Sequence, residues 1–513
     1  MNRLLAALTL LMSSALGAAE LFDETKATTL FAFDNVSIPH TQNLRLEMRQ
    51  PVKHAANPLL QRGGTGAPDA MGVQFYGSII KDGGKYRLWY VAFDDDVKNS
   101  VTSARWRAAY AESDDGLHWV KPDLGLVEFH GSKNNNLVDV GGAWGFVNLK
   151  VLKDERDPDP SQRYKMTTHV YFRDKRRLGT LLPFVSADGL RWRPVRDVTP
   201  LKAELRKDDL LLPGVHFEPC GGFYQWDGQF FACGQNAMNA TRPYQGRVSR
   251  TYRSSDFVNW SSTSSIAFVR EPQHEALGPG RSLEGEQCHE GVSVWNRGNV
   301  LLGVFGQWHG AKEWKDISVD LGFVISNDGL NFREPAHEWT MIKHGDDGQW
   351  DQGGVIQGQG FENIGEHTFL YYGAWDPRAT GGQPQHRGGV GIAMLPRDRF
   401  GDLVVETVGE GPGDYQLPKV VAELVTMSVP VRRPRFYINA DGLGDDAVLR
   451  VTLLDHFERV IPGHTAIIRQ NGFQTPVRWD APDEEPGRVR LRLVFEGRKR
   501  TDIRLSAIYV QDP

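Results

Sequence analysis

A short phrase returns along the chain. It reads Ser113-Asp114-Asp115-Gly116-Leu117-His118-Trp119, then Ser186-Ala187-Asp188-Gly189-Leu190-Arg191-Trp192. Further copies are Ser254-Ser255-Asp256-Phe257-Val258-Asn259-Trp260 and Ser326-Asn327-Asp328-Gly329-Leu330-Asn331-Phe332. Their starts lie 73, 68 and 72 residues apart. One more step of about 70 reaches the degenerate Pro396-Arg397-Asp398-Arg399-Phe400. A fixed period of this length means a stack of like units, each too small to bury its own core. Asp-Gly is a tight-turn pair, because glycine takes positive φ without strain. Alternating aromatic and apolar runs with strand character precede each turn. Five such units, each about four strands, predict a five-bladed β-propeller, an all-β fold.

The pattern changes after about residue 410. Gly409 to Pro418 is rich in Gly and Pro, and the phrase does not recur. From Met427 onward, segments of period two are punctuated by Asn471-Gly472 and Gly497. They read as a small β-sandwich. The expected division is therefore a propeller over 20–410 and a sandwich domain over 425–513. Leu30 to Phe33 and Leu44 to Met48 precede the first blade, and one of them is expected to complete the last.

Residues 1–19 have the make-up of a cleaved secretory signal peptide: Arg3, an apolar run from Leu4 to Met12, then small residues. The expectation is export, to the periplasm or the medium. The run is too short to span a bilayer, and no later segment is a candidate membrane span. A net charge of −5 argues against a nucleic-acid partner. Export permits a disulfide between Cys220 and Cys233, which flank a hairpin at Asp227-Gly228; free buried thiols are the alternative. No Cys-x-x-Cys pair exists for a zinc ribbon.

In a propeller the first strand of each blade lines the axis, so polar residues leading into those strands are the candidates for chemistry. Blade one offers Asp69 and Gln74, and blade two Asp139 and Asn148. Blade three offers Glu218. Blade four offers Glu284, Glu286, His289 and Glu290, and blade five Asp351, Gln352 and Gln357. Acids converging from several blades suit glycosidic bond cleavage, in which one protonates the leaving oxygen and the other attacks or activates water. Trp308, among several tryptophans, offers a face on which a sugar can stack.

The stretch Phe217-Glu218-Pro219-Cys220-Gly221-Gly222-Phe223-Tyr224 resembles the third-blade segment of five-bladed glycoside hydrolases of the family 32 and 43 type. The Asp-Gly-Leu-x-Trp turns, the run Gly389 to Phe400 and the trailing sandwich are similar to that group as well. The resemblance implies that Glu218 is the general acid. Two positions depart from it. Where the group carries an acid in blade one, this chain has Gln74 or Phe75, and in blade two it has Asn148. A divergent family 32-like branch is implied, with Asp69 or Glu290 as the second catalytic carboxylate. Gln74, Asn148, His289, Asp351 and Trp308 are then expected to bind substrate.

The expected protein is an exported glycoside hydrolase acting on an oligo- or polysaccharide. No cofactor is required by this reading, and a structural Ca2+ near the propeller axis is the one metal it leaves open. Rival readings are a non-catalytic carbohydrate-binding propeller, suggested by Gln74 and Asn148, and a polysaccharide lyase. The residues do not specify an oligomeric state.

Overall fold

The computed structural model describes residues 22–94, 106–142, 144–171, 179–196, 217–235, 246–270, 283–379, 387–406, 421–479 and 487–512. The expected signal peptide and the Gly- and Pro-rich linker lie outside them. The described chain is all-β, with only single turns of 3-10 helix. None of its helices is long and apolar enough to cross a membrane.

Five antiparallel meanders follow one another. Sheet one is Gly72–Asp82, Lys85–Phe93 and Trp106–Ser113. Sheet two starts with Phe146–Lys153, sheet three with Glu218–Trp226 and Gln229–Gln235, and sheet four with Gly285–Asn296 and Leu301–Gly310. Sheet five is Val355–Ile364, His367–Ala374 and Val390–Pro396, edged by Val52–Lys53. The strand that completes sheet five is thus Val52–Lys53, and neither Leu30 to Phe33 nor Leu44 to Met48. No sheet closes on itself. The first strands instead touch in turn, one to two, two to three, three to four, four to five, and five back to one at Gln359 and Ser78.

The recurring phrase sits between the third strand of a meander and its outer edge. Ser113 Oγ accepts from the Gly116 amide at 2.9 Å, and Asp115 Oδ1 accepts from Leu117 and His118 at 2.8 Å each. The same Asp bonds recur at Asp188, Asp256 and Asp328. Gly116, Gly189 and Gly329 all have positive φ, and Phe257 takes the same conformation at φ 67°. The carbonyl freed by the turn is then capped by an aromatic side chain of an adjoining sheet. Tyr371 donates to Gly116 at 2.8 Å, Trp89 to Gly189 at 2.7 Å and Tyr224 to Gly329 at 2.8 Å.

Two further sheets pack face to face on one apolar core that includes Ile38, Leu424, Ile438, Leu449, Leu491 and Ile508. The alternation in Gly487–Glu496 fixes its register: Val489, Leu491, Leu493 and Phe495 point inward. The N-terminal strands belong here. Ala27–Phe31 pairs with Arg504–Gln511, Leu44–Met48 with Gly401–Val405, and His40–Gln42 with Ala422–Val425. Leu30 and Leu44 carry the apolar side chains that seat these strands in the shared core.

Candidate active site

Each first strand carries a polar residue where its pairing with the second strand slips: Gln74, Asn148, Glu218, Glu290 and Gln357. A slip of this kind is a bulge, which turns a side chain out of the ladder. Three of the five are amides, and they tie sheet to sheet. Gln74 donates to Val147 O at 3.3 Å, Asn148 to Pro219 O at 2.7 Å, and Gln357 to His289 O at 2.8 Å and Gly291 O at 2.9 Å. Gln74 and Asn148, expected to bind substrate, are therefore part of the ring that holds the strands together. Glu218 and Glu290 are the two members that can ionise.

They meet at Gln235, the last residue of the second strand of sheet three. Its Nε2 donates to Glu218 Oε2 at 2.5 Å and to Glu290 Oε1 at 2.9 Å. The two carboxyl oxygens are thus separated by at most those two bond lengths. Glu290 is buried and sits at φ 61°, followed by Gly291 at 79°. Its Oε2 makes no conventional hydrogen bond. Burial pushes the Glu290 carboxyl well above the usual range, and the Glu218 charge pushes it further. The Cys220 thiol, Arg247 and Lys150 pull the other way without offsetting it. Glu218 is the more exposed of the two, half-buried at the strand's start.

The aromatic neighbours of Glu218 face elsewhere. Phe217 packs on Tyr252 with ring centroids 4.7 Å apart, Phe223 on Phe257 at 5.3 Å, and Tyr224 on Phe231 at 5.4 Å. The aromatic surroundings belong instead to His289. The His289 ring stacks on Trp375 and tilts against Trp308, both at 5.2 Å. Its Nε2 lies 3.7 Å from Glu290 Oε1, beyond hydrogen-bond range. Trp308 is fully buried, donates to Leu283 O at 2.8 Å and carries the Arg247 guanidinium 4.0 Å over its ring. Burial lowers the Arg247 pKa, and the charges of Glu290 and Glu218 oppose that shift.

Three of the other expected acids, Asp69, Asp351 and Glu286, are held in ion pairs. Asp69 accepts from Gly63 N at 2.9 Å and Tyr90 Oη at 2.8 Å and pairs with Lys121. Asp351 pairs with Lys53 at 2.6 Å and accepts from Tyr372 Oη at 3.0 Å. Glu286 accepts from His309 Nδ1 at 2.7 Å and pairs with Arg270 at 2.6 Å. His309 also faces Asp320; burial opposes its charge, but these carboxylates raise it to about 9. Cys220, Cys233 and Cys288 are free and buried, and Cys233 is paired in register with Gly222 rather than Cys220. Among the described residues no group of three or more His, Cys, Asp or Glu is arranged to hold a metal ion.

Sequence reasoning missed Gln235, Arg247 and Lys150. Lys150 is fully buried inside the ring, where Nζ donates to Gly77 O at 3.3 Å and Gln357 O at 3.2 Å. Burial lowers its pKa to about 7. A signal existed: two residues after Asn148, Lys150 shares its face of the strand.

No protein-family model matches the chain, and no curated protein does either. Among solved structures it is similar to one from work on the GH130 family of mannoside phosphorylases, said to contain glycoside hydrolases that target β-1,2 mannosidic linkages in Candida mannan. The two are 17% identical, with 68% of this chain and 94% of that chain covered and a TM-score of 0.41. A thermostable family-43 glycoside hydrolase is 15% identical, covering 71% of this chain and 97% of its own, with a TM-score of 0.38. A GH32 β-fructofuranosidase of Bombyx mori is 11% identical, covering 89% and 94%, with a TM-score of 0.38. These likenesses carry no argument about the chemistry of this chain, which rests on its own residues. These three solved structures are of the GH130, GH43 and GH32 glycoside hydrolase families, the kind of protein that the sequence resembles.

Proposed function

We propose that the chain is an exported glycoside hydrolase, built on a five-bladed β-propeller with a C-terminal β-sandwich, that cleaves an oligo- or polysaccharide with Glu218 and Glu290. The supporting observation is two acids from adjoining first strands on one amide nitrogen, one buried and one half-exposed. Acid–base work on a sugar needs one proton held and one carboxylate ionised at the same pH. Burial and the neighbouring Glu218 charge keep the proton on Glu290, and the half-exposed Glu218 is the charged partner. This reverses the role that the resemblance implies for Glu218. Glu290 protonates the leaving oxygen, and Glu218 attacks the anomeric carbon. The short span between the two oxygens suits a retaining double displacement, whose carboxyl groups sit about 5–5.5 Å apart. His289, held between the indoles of Trp308 and Trp375, borders this pair. Asp69, already neutralised by Lys121, has no part in the chemistry.

The leaving group tests the assignment. Glu290→Gln is expected to lose roughly 10²–10⁴-fold on an unactivated glycoside and far less on an activated aryl glycoside. Glu218→Gln is expected to lose activity on both. The opposite pattern would make Glu218 the acid, and small equal losses in both variants would dismiss the pair.

A further inference from the structure

We propose that Gln235 is the positioning residue of the Glu218–Glu290 pair, its carboxamide fixing the separation of the two acids by binding one oxygen of each. This rests on the reading of that pair as the hydrolytic site. The orientation of the amide follows from its partners. The Glu290 backbone N–H needs an acceptor, and Gln235 Oε1 meets it at 2.9 Å. Nε2 therefore faces the carboxyls, and its two hydrogens go one to Glu218 and one to Glu290. All three functions of the amide are spent on the pair.

The backbone is shaped to bring this side chain in. A Cβ on Gly234 would lie 2.0 Å from Glu218 O, and one on Gly291 would lie 2.6 Å from Gly234 Cα. Glycine at 291 lets sheet four approach sheet three so closely, and glycine at 234 lets the first two strands of sheet three close up beside Glu218. The left-handed turn of Glu290 then aims its N–H at Gln235. Among the described residues, the other charged or titratable groups facing the pair are Cys220 from the strand of Glu218, Lys150 from sheet two, Arg247 from the segment before the third strand of sheet three, and His289 beside Glu290.

An N–H donor favours an ionised carboxylate. Removing it from both acids shifts both titrations upward and frees the pair to drift apart. The test is a pH titration, followed by infrared difference spectroscopy, of the carbonyl band of the protonated carboxyl, assigned with Glu290→Gln. Gln235→Met is expected to move that titration up by about one pH unit. It should also lower kcat roughly 10–100-fold with KM nearly unchanged, and shift both limbs of the pH–rate profile upward. If Gln235→Met does not fold, Gln235→Asn, one methylene short, is expected to give a smaller shift of the same sign. An unchanged titration in a folded variant overturns the proposal. The band is read without substrate, so it can fail while Glu218→Gln and Glu290→Gln abolish hydrolysis. Equally it can hold while those variants leave hydrolysis intact, which would remove the functional reading alone.

Discussion

Glu290 keeps a proton because water is excluded from it and a second carboxylate lies beside it. That has a consequence for stability. A carboxyl whose folded pKa is raised binds its proton more tightly in the native state than in the unfolded chain. Its contribution is neutral below the unfolded value of 4.5 and increasingly unfavourable as pH rises toward the folded pKa. Glu290→Gln removes the penalty and keeps an oxygen for Gln235. Its Tm is expected to exceed that of the parent by a few degrees at pH 8, with the gap closing toward pH 4.5. A constant gap across that range would mean that Glu290 does not titrate as described. At this scale the sequence offered both acids as candidates, because each precedes a run that the repeat marks as a first strand; in the structure Glu218 opens its strand and Glu290 lies within Gly285–Asn296. It did not reveal Gln235, which sits on a second strand and reaches the pair only through the bulge at Glu290 and the contact of Gly234 with Gly291. Nor did it show that Asp69 is neutralised, since Lys121 lies 52 residues away.

The elements are held in register by the repeated turns, and here sequence and structure agree closely. The Ser and Asp are there for the backbone N–H groups they accept from, and the Gly for its positive φ. Local chemistry of that kind is legible without a fold. What was not legible is the second use of the turn, as an acceptor for an aromatic of an adjoining sheet. Gly189→Val tests both uses. Its φ is 74°, and a Cβ would come within 2.9 Å of Trp89. The expected loss is about 1–3 kcal/mol from backbone strain, with more from the displaced indole, read by urea denaturation. A loss below 0.5 kcal/mol, the level of a neutral surface change, would mean that the turn does not join the sheets. The Asp side chains give a pH signature. Burial tends to raise Asp256, but its bonds to Asn259 and Val258 hold it down to about 2. A lowered pKa contributes stability above the unfolded value of 3.8, lost as pH falls through about 2. Asp256→Asn should therefore lower Tm at neutral pH and converge with the parent in that acid window. The fifth copy of the phrase is degenerate because Asp398 does something else. It is buried against Arg297 at 2.5 Å, and Tyr509 donates to it at 2.9 Å.

For the whole molecule, that exchange marks the joint between its two parts. Arg297 also pairs with Glu24 at 2.7 Å, so the N-terminal segment, sheet four, the end of sheet five and the last strand share one ionic cluster. Removing one partner of a buried pair leaves a stranded charge, so Arg297→Met is expected to destabilise the protein by about 3–5 kcal/mol. Unfolding should remain one transition, since Phe31, Phe323, Phe400 and Tyr509 also share a core. Two resolved transitions in the parent would show that the parts fold separately. The sequence located strands after the linker but not their N-terminal partners, because pairing between Ala27–Phe31 and Arg504–Gln511 spans nearly the whole chain and leaves no local pattern. In the proposed function this assembly hydrolyses glycosides with Glu218 and Glu290. The most direct measurement is mass analysis of products from a panel of oligo- and polysaccharides, using the parent protein and a folded Glu218→Gln/Glu290→Gln double variant. The parent is expected to release fragments carrying one added water, and the double variant none. Unsaturated fragments absorbing in the ultraviolet, saturable binding with no product, or equal release by both proteins would contradict it.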